Sequence, residues 1–259
     1  PKIRNTIWAP DGNHIAFTNE TEDATQLWLV DVQSATASQI LGVEINDVFG
    51  EAVSWVSGGQ SLVVLAVPSS RGDAPAESIT PTGPVVQENQ GEAAPAWTYQ
   101  DLLKNRHDEE LFEFYGLSQV VIVSLDGKAT PLGEPALIRS GHPSPDGQHI
   151  LVQTIHRPFS YIVPAGRFPN RIDVWDMRGL VEHEVASLPL KDQVPTVYGS
   201  VPTGVRSILW RPDADATLYW TEAQDGGDAS READLRDAVF MHAAPFAGEP
   251  KRIASLPLR

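Results

Sequence analysis

The side chains with the most chemistry to offer in this sequence are arginines with aromatic neighbours. His156-Arg157-Pro158-Phe159-Ser160-Tyr161 leads to Gly166-Arg167-Phe168-Pro169 and then to Arg171, while Arg71 opens a second long connector. The chain carries 34 acidic against 19 basic residues, a net charge of −15. Arginines gathered in such a background do one of two things. A guanidinium fork binds a ligand carboxylate through two parallel hydrogen bonds, or it pairs with internal carboxylates such as Asp173, Asp225 or Asp228 to pin loops. The residue pattern leaves both open.

Covalent and metal chemistry find no comparable footing. There is no Gly-x-Ser-x-Gly elbow, and Gly204-Val205-Arg206-Ser207 does not fit one. The nearest approach to a His-Glu-x-x-His zinc site is Glu182-His183-Glu184, with Ser187 where the second histidine belongs. The seven histidines are scattered without metal-ligand spacing, and there is no cysteine for a thiolate site or a disulfide. Asp225-Gly226-Gly227-Asp228 with Asp234 is a weak oxygen-ligand pattern that reads equally well as a polar turn. Arg71-Gly72-Asp73 and Trp175-Asp176 match short motifs too common to carry weight. No catalytic residue, metal ligand or cofactor is therefore assigned.

The elements that must position these side chains are strands. In residues 8–41, Pro10-Asp11-Gly12 makes a tight turn. Residues 14–18 then alternate with the period of a strand, Ile15 and Phe17 on one side and His14 and Ala16 on the other. A polar connector, a second apolar run at 26–32, a small-residue turn and a short strand near 38–41 complete a four-stranded antiparallel meander. Such a meander is the unit of a β-propeller blade. Copies of the turn recur at Ser57-Gly58-Gly59, Pro145-Asp146-Gly147 and Pro212-Asp213. The predicted fold is all-β: a β-propeller segment of about four four-stranded antiparallel blades, roughly 2–42, 50–132, 136–188 and 204–257.

The turn markers Pro10, Ser57, Pro145 and Pro212 lie 47, 88 and 67 residues apart. Uneven spacing around a repeated core means insertions. They fall between second and third strands: 50 residues (68–117) in the second copy against 7 in the first, with further connectors at 156–170 and 224–235. Strand direction alternates in a meander, so these connectors emerge on one face, where loops on a rigid scaffold handle partners or substrates. In the largest insert, residues 73–96 are rich in Pro, Ala, Gly and Glu and read as extended or mobile. Residues 99–115 (YQDLLKNRHDEELFEFY) read as helical, in one or two pieces. Leu102, Leu103, Leu111, Phe112, Phe114 and Tyr115 supply the apolar contacts by which this short segment docks.

Net charge −15 disfavours nucleic acid and anionic membrane surfaces as partners. No apolar run approaches the ~20 residues of a membrane helix. A chain opening at Pro1 reads as a processed or excised piece.

Four stretches together are recognisable: Ser69-Ser70-Arg71-Gly72-Asp73-Ala74-Pro75, Thr98-Tyr99-Gln100-Asp101-Leu102-Leu103, the fourteen residues from His156 to Pro169, and the nine from Thr221 to Ala229. In these the chain resembles the glutamyl endopeptidases, a branch of the prolyl oligopeptidase family of serine peptidases found in chloroplasts and bacteria. The resemblance implies a location in the bacterial periplasm or cytoplasm, or in the chloroplast stroma. It also implies a propeller of about seven blades paired with an α/β-hydrolase domain that carries Ser, Asp and His. This chain holds only part of such a propeller and none of that triad. Its implied role is to gate and bind peptide substrate for the hydrolase domain, and family members cleave after acidic residues, chiefly glutamate. Charge and loop position make Arg157, Arg167 and Arg71 the candidates to hold that carboxylate, with Tyr161 as a supporting donor. The alternative from another class is a stand-alone propeller that binds a protein partner without catalysis. A third reading, a propeller hydrolase with calcium in its channel, is disfavoured by the carboxylate-poor approaches around Trp8, Trp55 and Trp210.

Overall fold

The computed structural model describes residues 2–77 and 99–259. Most of the proline-rich stretch predicted as extended or mobile, 73–96, lies outside the described residues. The described chain is all antiparallel β with one short α-helix. Strands β1 (Lys2–Trp8), β2 (His14–Glu20), β3 (Thr25–Asp31) and β4 (Thr36–Glu44) form a four-stranded sheet in chain order. The period-2 alternation decides which face is buried. Ala16 and Thr18 pair with Leu29 and Leu27, and all four are buried. On the other face Phe17 and Trp28, also cross-strand partners, stack at 6.0 Å.

A seven-stranded sheet follows: β5 (Val53–Trp55), β6 (Ser61–Ala66), β7 (Ser118–Ser124), β8 (Ala129–Pro143), β9 (His149–Ile155), β10 (Asn170–Asp176) and β11 (Val181–Leu188). Leu62 to Ala66 is a continuous apolar run, and all five residues are buried. This is the pattern of a strand covered on both faces. The fifteen-residue β8 serves two neighbours in turn. Residues up to Ala136 pair with β7, and residues from Leu137 onward pair with β9. The strand is thus unbroken across 133–135, where the sequence reading separates two units. The third sheet is again four strands in chain order: β12 (Arg206–Trp210), β13 (Thr217–Ala223), β14 (Asp237–Ala243) and β15 (Lys251–Leu256).

The recurring turn is one hydrogen bond repeated. Gly12, Gly59 and Gly147 each donate their backbone N–H to the carbonyl three residues earlier, on Ala9, Val56 and Ser144, at 2.9–3.0 Å. All three glycines have φ near +70°, a conformation costly for residues with a Cβ. The fourth copy has no glycine there, and its Ala214–Arg211 contact lengthens to 3.4 Å.

The sheets are joined by packing and by tryptophan. One core cluster runs from the first sheet through β5–β8 and takes in Ile150 and Val152 of β9 and Trp175 of β10, and another joins other residues of β9–β11 to the third sheet. Trp55 Nε1 donates to the Ile7 carbonyl at 3.2 Å, tying β5 to β1. Trp210 Nε1 donates to the His142 carbonyl at 2.8 Å, tying β12 to the second half of β8.

Candidate functional site

The long connectors meet one another. The insert ends in helix α1 (Arg106–Gly116), shorter than the 99–115 expected because Asn105 sets its start. The Asn105 side chain accepts from the Asp108 N–H at 2.9 Å, and the Asp108 carboxylate accepts from the Lys104 N–H at 2.8 Å. This is the reciprocal logic of a capping box. At the other end buried Asn46 donates to the carbonyls of Tyr115 and Leu117, both at 2.9 Å, satisfying groups a helix terminus leaves open.

The helix docks through Phe112. Its ring meets Phe49, Phe159 and Phe168 edge-on at 5.1–5.6 Å, inside an apolar cluster completed by Leu137, Ile155 and Val163. Phe159 and Phe168 belong to the 156–170 connector, so insert and connector share one small core. Of the six apolar residues expected to dock, Phe112 and Leu103 pack in this cluster, whereas Tyr115 is 49% exposed.

All four side chains singled out in the sequence contact residues of the insert, to which Arg71 itself belongs. Arg157 donates Nε to Glu113 Oε1 at 2.7 Å and Nη2 to Glu113 Oε2 at 2.9 Å, and Nη1 to Glu109 at 2.5 Å. Tyr161 donates its hydroxyl to Glu109 Oε1 at 2.6 Å. Arg71 lies over the Phe114 ring at 4.8 Å, with Glu44 4.0 Å away. Arg167 lies over the Tyr99 ring at 5.6 Å. The fork foreseen for a carboxylate is thus filled, in Arg157, by two carboxylates of α1.

The electrostatics follow that geometry. Burial pushes the Glu109 carboxyl up, but the hydrogen bonds from Tyr161 and Arg157 outweigh it and hold the group below its ordinary range. The bond to Glu109, with burial added, raises the Tyr161 phenol to about 12. The bonds to Glu113 and Glu109 raise the Arg157 guanidinium further above its ordinary value.

Of the internal carboxylates named from the sequence, Asp228 has Arg231 at 3.6 Å, and Asp173 and Asp225 are likewise paired, beside a third acid, Asp237, that the sequence did not mark. Arg171 pairs with the fully buried Asp173 at 2.6 Å, the internal alternative weighed for these arginines. Asp225 has one oxygen on Arg236 at 2.8 Å and the other on Arg259 and the Gly227 N–H, so its lone pairs are committed within the protein. Asp237 takes Arg206 at 2.5 Å and Arg259 at 3.1 Å. Among the described residues no group of three or more His, Cys, Asp or Glu side chains is placed to hold a metal ion.

Sequence reasoning missed two cations beside Arg167. Lys191 donates its backbone N–H to the Arg167 carbonyl at 2.9 Å, which lays the 189–203 link along the 156–170 connector. Arg139, on β8, places its guanidinium against Gly166 and donates to that residue's carbonyl at 3.5 Å. Arg139 and Lys191 are 52 positions apart and belong to no motif, so only the β8–β9–β10 pairing brings them together. The same link continues to the 224–236 connector, where Val201 N–H donates to the Gly227 carbonyl at 2.9 Å. Insert, connector, link and connector therefore form one continuous elaborated surface.

Comparison with known proteins adds the following. No protein-family model matches the chain. Over its whole length it is homologous to two plant proteins. It is 40% identical to a probable chloroplastic glutamyl endopeptidase of Oryza sativa subsp. japonica and 39% identical to one of Arabidopsis thaliana. The chain spans 29% and 28% of those two relatives. Among solved structures, an oligogalacturonate lyase in complex with manganese superposes with a TM-score of 0.52 at 11% identity, over 97% of this chain and 52% of that one. At that identity the likeness concerns the fold alone.

Proposed function

We propose that this chain is the propeller portion of a serine peptidase that cleaves peptides after acidic residues, chiefly glutamate. It gates and binds substrate for an α/β-hydrolase domain located elsewhere in the parent protein. The observation that carries the reading is the 40% identity to the probable glutamyl endopeptidase of Oryza sativa subsp. japonica across the full length of this chain. In this reading the meanders at about 2–42, 50–132, 136–188 and 204–257 are four blades, with β8 passing from the second into the third. Residues 68–117 are an insert of the second.

The division of labour on the elaborated surface follows from the side-chain partners. Arg157 and Tyr161 hold the insert helix in place through Glu109 and Glu113, and so shape the entrance. Arg71 and Arg167, packed on aromatic rings, remain the candidates to meet an incoming carboxylate. Bond cleavage is left to a nucleophile, general base and oxyanion hole of the hydrolase domain.

The test uses the full-length parent protein and two peptides that differ only by Glu or Gln at the residue before the scissile bond. The expected result is a kcat/KM for the Glu peptide at least about tenfold higher, one charge-assisted contact's worth. Equal rates would refute the acidic preference. A parent gene without a Gly-x-Ser-x-Gly elbow beyond Arg259 would favour the stand-alone binding module.

A further inference from the structure

Arg139, Arg167 and Lys191 come together as a cationic group on the elaborated surface. Among the described residues, every arginine except Arg139, Arg167 and Arg252 has a carboxylate oxygen within 4.0 Å. Arg252 stands alone on exposed β15, whereas Arg139 and Arg167 converge on the turn at Ala165–Arg167. Lys191 likewise has no carboxylate that close among the described residues. The chain has 34 acidic side chains, yet among the described residues none lies within 4.0 Å of this group.

The backbone holds the group together. The Lys191 N–H bond to the Arg167 carbonyl fixes the two segments at 2.9 Å. Among the described residues the guanidinium groups themselves reach only carbonyls, each at a long 3.5 Å: Arg139 to Gly166 and Arg167 to Lys191. Bonds of that length are weak, and most of the donor capacity of both forks stays unused. The Tyr99 ring beneath Arg167 orients its plane. The Lys191 ammonium has no hydrogen-bond partner among the described residues and is partly sunk. Burial pushes its pKa down, and the charge of Arg139 adds to that.

Beside Lys191 opens a cleft of about 260 Å³. Pro189, Val194, Pro195 and Pro202 supply apolar walls, and Gln193 and Thr203 supply polar groups. This is just below the ~300 Å³ at which small-ligand pockets begin, so the space suits one side chain rather than a whole ligand. Like charges held close repel one another, and the repulsion grows as water is removed. An anion between the three groups relieves it and satisfies the unused donors. A single carboxylate matches the planar forks, and its short stem matches the apolar walls.

We propose that Arg139, Arg167 and Lys191 are a binding subsite for the carboxylate of a glutamate or aspartate side chain in a peptide crossing this surface. The inference rests on the reading that peptides reach this surface, and it assigns the acidic recognition to two residues, Arg139 and Lys191, that no motif marks.

The experiment measures binding to the full-length parent protein by calorimetry. The probe is a pentapeptide with a central glutamate, N-methylated on the backbone at both sides so that hydrolysis does not compete. The expected result is that it binds at least about tenfold more tightly than its glutamine twin. That preference should disappear in Arg139→Gln/Lys191→Met, persist in Arg252→Gln, and weaken with added salt. The melting temperature of the double variant should stay level or rise, because a repulsion is removed. Equal binding of the two peptides to the wild type would overturn the proposal, as would an undiminished preference in the double variant. A melting temperature that drops in the double variant would mark the group as a structural pin instead. Failure here is separable from failure of the peptidase reading. A parent enzyme that cleaves Glu and Gln peptides alike, yet binds the blocked Glu peptide through this group, loses the first and keeps the second.

Discussion

Arg157 and Glu113, 44 positions apart, meet through two parallel hydrogen bonds, Nε–Oε1 at 2.7 Å and Nη2–Oε2 at 2.9 Å. The third donor of the same fork reaches Glu109, which also accepts from Tyr161. One connector therefore holds the other's helix by a four-residue charged latch over the Phe112 core. An eleven-residue helix is marginal by itself in water. Its persistence depends on this docking.

Breaking the latch should free the helix before it unfolds the sheets. Arg157 is half exposed, so solvent screens the pairs and Arg157→Ala should cost only about 1 kcal/mol of global stability. Limited proteolysis within residues 99–116 should accelerate much more than that figure suggests. A variant nicked there no faster than the wild type would mean the latch does not hold the helix.

Phe112→Ala removes the ring that three others pack on. The expected loss lies at the lower end of the ~3–5 kcal/mol typical for Phe→Ala, since Phe112 is only partly buried. Tyr115→Ala, on the exposed side of the same helix, should stay within about 0.5 kcal/mol of wild type. Urea denaturation of both variants checks the pair, and similar losses would contradict the docking geometry.

Gly116 ends the helix against Phe49, whose Cζ would stand 2.7 Å from an added Cβ. Gly116→Ala should therefore destabilise by about 1–3 kcal/mol through overpacking. Pairing it with Phe49→Leu should recover part of that loss. Two costs that simply add would show that the clash is relieved elsewhere.

Acid should loosen the fold from near neutrality. Burial depresses His142 and His183 below the ordinary histidine value of 6.5, and for His183 the charge of His242 adds to it. The unfolded chain therefore takes up these protons first, so stability is full above about pH 6.5 and declines as pH falls toward the lowered folded-state values. Glu109 and Asp225, whose carboxyls are held below their ordinary range, act in the same direction only at more acidic pH. Asp173 opposes them, because burial raises its pKa. Thermal unfolding between pH 7.5 and 5.5 should show a falling midpoint, with the fall reduced in His142→Gln/His183→Gln. A midpoint flat across that range would exclude the histidine contribution.

The sequence alone determined the strands, because the period of side-chain alternation and the turn glycines are local properties. Residues 14–18 emerge inside β2, and the apolar run read at 26–32 emerges as β3 at Thr25–Asp31. The crowding of the long connectors was also legible, since it follows from where the extra length falls in a meander. What the sequence could not determine was the partner of each charge. Arg157 had several carboxylates to choose from, and only the docking of α1 selects Glu109 and Glu113. Nothing local separates Arg139 or Lys191 from any surface cation; they matter because strand pairing and one backbone bond lay them beside Arg167. Periodicity is written residue by residue, whereas the counter-ion of a side chain is settled by which distant segments fold against it.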